Sequence, residues 1–147
     1  MVAVLAAAAT ACSLATARAA IRATKAHVPT LAGPNEPPEP ANPALADRVA
    51  CAGLVIAVSI SSGGTAGDTS WLAFVRGGSA WRVVKSAGGY KLGLFAHRGE
   101  IEIVQPVYRA HDPNCCPTGG FDRTRYRFDG NRLVVTRHSH TRRFQSS

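Results

Sequence analysis

From residue 48 onward the chain is written in short runs that alternate or fill with apolar residues and stop at glycines. Arg123, Arg125 and Arg127 fall on one face of a period-2 segment, with Thr124, Tyr126 and Phe128 on the other. Ile101 and Ile103 oppose Glu100 and Glu102 in the same way. Residues 49–60 are twelve uncharged positions in a row. That is short of the ~20 a membrane helix needs, so the run reads as a buried strand. The pattern predicts strands over 52–60, 70–76, 80–86, 91–97, 100–108, 122–129 and 132–137. Gly77-Gly78, Gly88-Gly89, Arg98-Gly99 and Asp129-Gly130-Asn131 supply the turns, because they tolerate positive φ. No extended 3.6-residue period follows residue 30. The expected fold is mainly β, a single antiparallel meander forming a small sandwich or a partly closed barrel, with a disordered or helical N-terminal extension.

The first 17 residues carry no charged side chain and are rich in Ala, Val and Leu, like the apolar region of a secretory signal. Ala17-Arg18-Ala19 offers a cleavage signal before Ala20. Ala9-Thr10-Ala11-Cys12 offers a degenerate lipidation signal, which makes Cys12 a candidate lipidation site. Residues 29–43 contain six prolines and read as a stiff extended spacer. The expected organisation is a signal-like segment at 1–20, a Pro-rich linker at 21–47, a β domain at 48–138 and a basic tail at 139–147. On this reading residues 1–43 lie outside the core.

Charge sharpens the division. Residues 1–47 hold three basic and three acidic groups, whereas 48–147 hold fourteen basic and six acidic ones, which accounts for the net +8. Such a field attracts polyanions, so anionic envelope polymers or a membrane surface are the expected partners. No nucleic-acid-binding module accompanies the charge, which argues against sequence-specific nucleic-acid recognition. The face formed by Arg123, Arg125 and Arg127 is the expected anionic-surface contact, exposed to solvent.

Chemistry concentrates at Cys115-Cys116, set between Asp112-Pro113 and Pro117. Neighbouring strand residues point to opposite faces, so a local cause must fix both thiols. A bond between the two would staple a bend. The alternative is a long-range bridge from Cys51 to one of them. His111 lies four residues before Cys115, and His138 and His140 share a strand face, yet these spacings do not match a zinc site. No cofactor or metal is expected. The glycine-rich 62–68 segment lacks the Gly-Lys-Ser/Thr ending of a phosphate loop and reads as a strand connection, with Asp68 capping a turn. No nucleophile elbow and no pair of catalytic carboxylates is legible.

The segments at 61–76, 88–95 and 105–135, above all Asp-Pro-x-Cys-Cys-Pro-x-Gly at 112–119 followed by an Arg-Tyr-Arg-aromatic strand, resemble the LppP/LprE family of bacterial envelope lipoproteins. The resemblance spans about 58–137. It implies an extracytoplasmic location and no established enzymatic activity. The functional expectation is a non-catalytic secreted or cell-envelope β module with a structural or binding role. The rival is a thiol/disulfide redox or metal-dependent protein using Cys115, Cys116 and His111. The sequence leaves open whether the protein is an enzyme.

Overall fold

A computed structural model describes residues 11–30 and 35–143. The elements run α1 (Leu14–Thr24), β1 (His27–Val28), β2 (Glu39–Pro40), a single 3-10 turn (Pro43–Leu45), β3 (Ala46–Ala52), β4 (Val55–Ser61), β5 (Asp68–Gly77), β6 (Ala80–Gly88), β7 (Gly93–His97), β8 (Glu100–Pro106), β9 (Phe121–Phe128) and β10 (Leu133–Thr141). Strands β3 to β6 form one four-stranded antiparallel sheet in chain order, and β7 to β10 form a second; β1 and β2 pair separately. The two meanders stack as an unclosed sandwich, the mainly β architecture that the run-and-glycine pattern predicts.

Five of the predicted strands recur within about two residues. The 49–60 run does not form one strand. It is a hairpin, β3 to β4, turning at Gly53-Leu54 with Ala52 opposite Val55. Gly53 has φ 57 at the first central position of this two-residue loop, where an L side chain is strained. At the other end of the domain β10 continues to Thr141, pairing Ser139 with Arg123 and Thr141 with Phe121. The expected tail therefore begins later than residue 139.

Strands β4 and β5 are buried on both faces. Trp71, Ala73, Val75, Val55 and Ala57 point into a core shared with Leu94, Ile101 and Ile103 of the second sheet. Ile56, Val58, Ile60, Leu72 and Phe74 point the other way, against α1. The result is three layers, one helix and two sheets. It explains why 55–60 and 71–75 are apolar throughout except at Ser59: each strand covers two cores at once.

The helix corrects the expectation that residues 1–43 stand outside the core. Ala17, Ala20 and Ile21 lie on one stripe, at i, i+3 and i+4, and are essentially inaccessible. Ser13 caps the N-terminus, its hydroxyl accepting from Thr16 N–H at 3.1 Å. Lys25, in the left-handed region at φ 51, closes the other end with its N–H donating to Ile21 O at 2.9 Å. Alanine's small side chain lets the helix backbone approach the sheet closely. A disulfide joins Cys12 to Cys51 on β3, with Cα atoms 6.0 Å apart, and tethers the helix to the sheet.

The proline-rich stretch is packed only at its edges, and residues 35–40 are exposed. Ala26, Val28 and Ala41 are buried, Ala41 N–H donates to Ala26 O, and Ser86 Oγ donates to His27 O at 2.6 Å. His27–Val28 is thus anchored to the first sheet, whereas Pro37, Pro38 and Pro40 stay at the surface.

Isolated helices this short are marginal in water, so α1 is held by its packing and its tether. Ile21→Ala should cost about 2–5 kcal/mol, as for other buried aliphatic truncations. Cys51→Ser opens a closure between residues 39 apart and should cost about 2–4 kcal/mol, more than Cys116→Ser. Thermal melts check both values. Losses under about 0.5 kcal/mol, the surface norm, would show that α1 is not part of the fold.

Candidate functional site

After β8 ends at Pro106 the chain leaves the second sheet and returns at Phe121. The base of the excursion is closed by Val107, whose N–H donates to Gly120 O and whose carbonyl accepts from Gly119 N–H, both at 2.9 Å. Glycine is required here: a Cβ at 119 would strike the Val107 carbonyl, and Gly120 sits at φ 80 against the Thr141 carbonyl.

Inside the loop, Asp112 accepts from Arg109 N–H at 2.7 Å, Thr118 N–H at 2.8 Å and Thr118 Oγ1 at 2.8 Å. The two backbone donors hold its carboxyl below the usual aspartate range. The tip is tied as well. Lys91 Nζ donates to Asn114 O at 2.6 Å, Tyr108 O–H donates to the same carbonyl at 2.8 Å, and Tyr90 O–H bonds Asn114 Oδ1. Tyr90 and Tyr108 meet edge-on, 5.5 Å between centroids.

Cys115 and Cys116 are bonded to each other at this tip, and both are exposed. The alternative bridge from Cys51 to one of them is excluded, because Cys51 is spent on Cys12. The same bond means that the structure does not present Cys12 as a free thiol for lipidation. Both thiols of the adjacent pair are thus joined in this structure, and His111 beside them is exposed. No cluster of three or more metal-binding side chains occurs among the described residues. His138 is exposed, and His140 uses Nδ1 to meet Asp122 Oδ1 at 2.8 Å.

Two concavities flank this loop. The first is a cleft of about 500 Å³. One wall is the outer face of the second sheet, with Phe95, Val104, Pro106 and Phe121. Gly93 leaves room for the Phe95 ring, which a Cβ there would meet at 2.9 Å. Tyr108 and Cys115 form the loop side. Opposite stand Asp47 and Arg48 at the start of β3, Asp68 at the start of β5, and Lys91. Asp68 is buried, and desolvation pushes its carboxyl up; the neighbouring Asp47 carboxylate adds to this, while a hydrogen bond from Ser59 and the Arg48 charge oppose it. Asp68 is therefore part of a buried polar group, and the turn-capping role falls to Ser61 and Ser62, whose hydroxyls accept from Gly63 and Gly64 N–H.

The second concavity, about 480 Å³, lies across the loop and is lined by Arg109, Thr118, His140 and Arg142 with the glycine pair.

The arginine face does not lie open as the period-2 pattern suggests. Arg123 Nη1 and Arg125 Nε each reach one oxygen of Glu102, both at 2.8 Å. The Glu102 side chain is 1 % exposed, and those of Arg123 and Arg125 are 9 % and 22 %. Burial alone would raise the Glu102 carboxyl, but the hydrogen bonds and charges of the two arginines outweigh it and hold the group below the ordinary glutamate range. Of the three residues expected to contact anionic surfaces, only Arg127 is exposed.

The sequence reading finds the loop and its cysteine pair but not the cleft. Asp47 and Asp68 are 21 residues apart and meet only because β3 pairs with β4 and β4 with β5. No family model, curated protein or solved structure matches this chain.

A carboxyl depressed in the folded state stabilises above its unfolded pKa, ~4.3, and that contribution is lost as pH falls through the lower folded value. Glu102→Gln leaves two guanidinium groups without their anion and should cost on the order of 3 kcal/mol at pH 7. Its stability should also fall less steeply than the wild type's below pH ~4. Denaturant midpoints across this range check both, and parallel acid curves for the two proteins would contradict the ion-pair assignment.

Proposed function

We propose that this protein is an extracytoplasmic β module of the cell envelope that binds its ligand in the cleft between the second sheet and the 107–120 loop, without catalysing a reaction. The observation that carries the reading is the cleft's construction. An aromatic and aliphatic wall faces a few convergent charged groups, as in small-molecule binding sites generally. The loop that completes it is fixed at base and tip, with the Cys115–Cys116 bond as a local link at the tip, so little ordering entropy is lost when a ligand arrives.

Two disulfides support an oxidising compartment. No helix among the described residues is long and apolar enough to cross a membrane. The resemblance to the LppP/LprE lipoproteins points the same way. Anionic envelope polymers or the membrane surface remain the proposed partners, reached through the excess of basic groups after residue 48.

Backbone amide spectra of the oxidised chain, recorded with small cyclic polyols, aromatic acids and short acyl-chain probes, test the site. Saturable shifts should gather at Gly67, Leu92 and Gly93. Shifts scattered over both sheets, or none with any probe, would contradict it.

The fold also constrains processing. Cleavage after Ala19 would remove Cys12 and the first half of α1, and lipidation of Cys12 would compete with its bond to Cys51. Peptide mapping of protein recovered from the envelope or culture fluid should find Cys12 disulfide-linked to Cys51. A mature N-terminus at Ala20, or a lipidated Cys12, would contradict this.

A further inference from the structure

We infer that the cleft and the basic cavity on the other side of the loop are adjoining subsites for one acidic polysaccharide, with sugar rings in the cleft and an acidic substituent in the cavity. This inference rests on the reading above that the cleft binds a ligand, and it names the ligand's class.

The cleft calls for a ligand with apolar faces and hydroxyl edges. Phe95, Phe121 and Tyr108 offer ring faces and edges for the C–H face of a pyranose. Asp47 and Asp68 can accept from hydroxyl groups, and the Arg48 guanidinium can donate to them. An acyl chain would cover the aromatic wall but leave these charged groups desolvated and without partners, which is costly. A bare polyanion would meet the carboxylates of Asp47 and Asp68 and make no use of the aromatic wall.

The acidic substituent is assigned by the second concavity. Arg109 and Arg142 line it, and both are exposed. No carboxylate lines the cavity: Asp112, which lies within the charge field of Arg109, turns its oxygens to the loop backbone and Thr118, and Asp122 pairs with His140. The two spaces are one loop's width apart. Tyr108 lines the cleft and Arg109 the cavity; Pro117 lines the cleft and Thr118 the cavity. Consecutive Cα atoms are ~3.8 Å apart, so neighbouring units of one polymer can occupy both. The Asp112 contacts and the close approach of Gly119 to Val107 set this partition.

The test uses the full oxidised chain and four probes: polygalacturonate, with rings and acid groups; dextran, with rings alone; polyphosphate, with charge alone; and phosphatidylglycerol vesicles. At low ionic strength polygalacturonate should bind at least about tenfold tighter than each of the others, a difference of ~1.4 kcal/mol. The double variant Arg109→Ala, Arg142→Ala should fall to the dextran level, with its circular dichroism and melt unchanged because both side chains are exposed. Tyr108→Leu should weaken polygalacturonate and dextran alike and leave polyphosphate unaffected. Polyphosphate or vesicles binding as tightly as polygalacturonate would overturn the inference, and so would dextran binding equally well. If polygalacturonate fails to bind while small probes still move the Gly67, Leu92 and Gly93 amides, the polysaccharide assignment falls and the cleft reading stands. If nothing moves those amides, both fall.

Discussion

The first sheet is apolar on both faces, and the rest of the domain is arranged around covering it twice. On one side Trp71 meets Tyr126 of the second sheet at 5.2 Å, with Ile101, Ile103 and Leu94 filling the space around them. On the other side the sheet offers Ile56, Val58, Leu72 and Phe74, and a single short helix must bury them. An 11-residue helix of mostly small side chains has little stability of its own. The Cys12–Cys51 bond compensates by keeping the helix near the surface it covers, an advantage expressed mainly in the unfolded chain.

The second sheet is more exposed on its outer face and solves the same problem with polar chemistry. Glu102 is buried there only because two arginines of the adjacent strand close over it, each supplying a charge-assisted hydrogen bond. Beside this group the apolar residues Phe95, Val104 and Phe121 line the cleft. The loop that walls the cleft is held by Val107 at its base, Asp112 within it and Asn114 at its tip, and the adjacent cysteine bond adds a local link at that tip. Rigid walls of this kind suit recognition without large rearrangement.

Much of the β architecture is legible because period-2 alternation and glycine turns are local signals. The strands from 100–106 and 121–128 are examples, and so is the Asp129-Gly130 hairpin. Three features are not legible, each for a physical reason. The 49–60 run hides a hairpin because its turn, Gly53-Leu54, has no polar residue to mark it. The packing of α1 is hidden because a stripe of alanines looks the same in any apolar helical segment, and the sheet face it covers lies more than 30 residues further on. The arginine alternation on β9 shows which side chains share a face, but not that Glu102 on β8 lies between two of them. The cleft also escapes the sequence, since its groups come from five separate stretches brought together by strand pairing and the 107–120 loop.

The account depends most on α1 being a structural layer, and native-state amide hydrogen exchange addresses that directly. In the oxidised protein the amides of Ala20 and Ile21 should exchange as slowly as those of Ala57 and Leu72 on the central strands, through the same global opening. Exchange of the helix at the rate of an unstructured peptide, while the central strands stay protected, would contradict it.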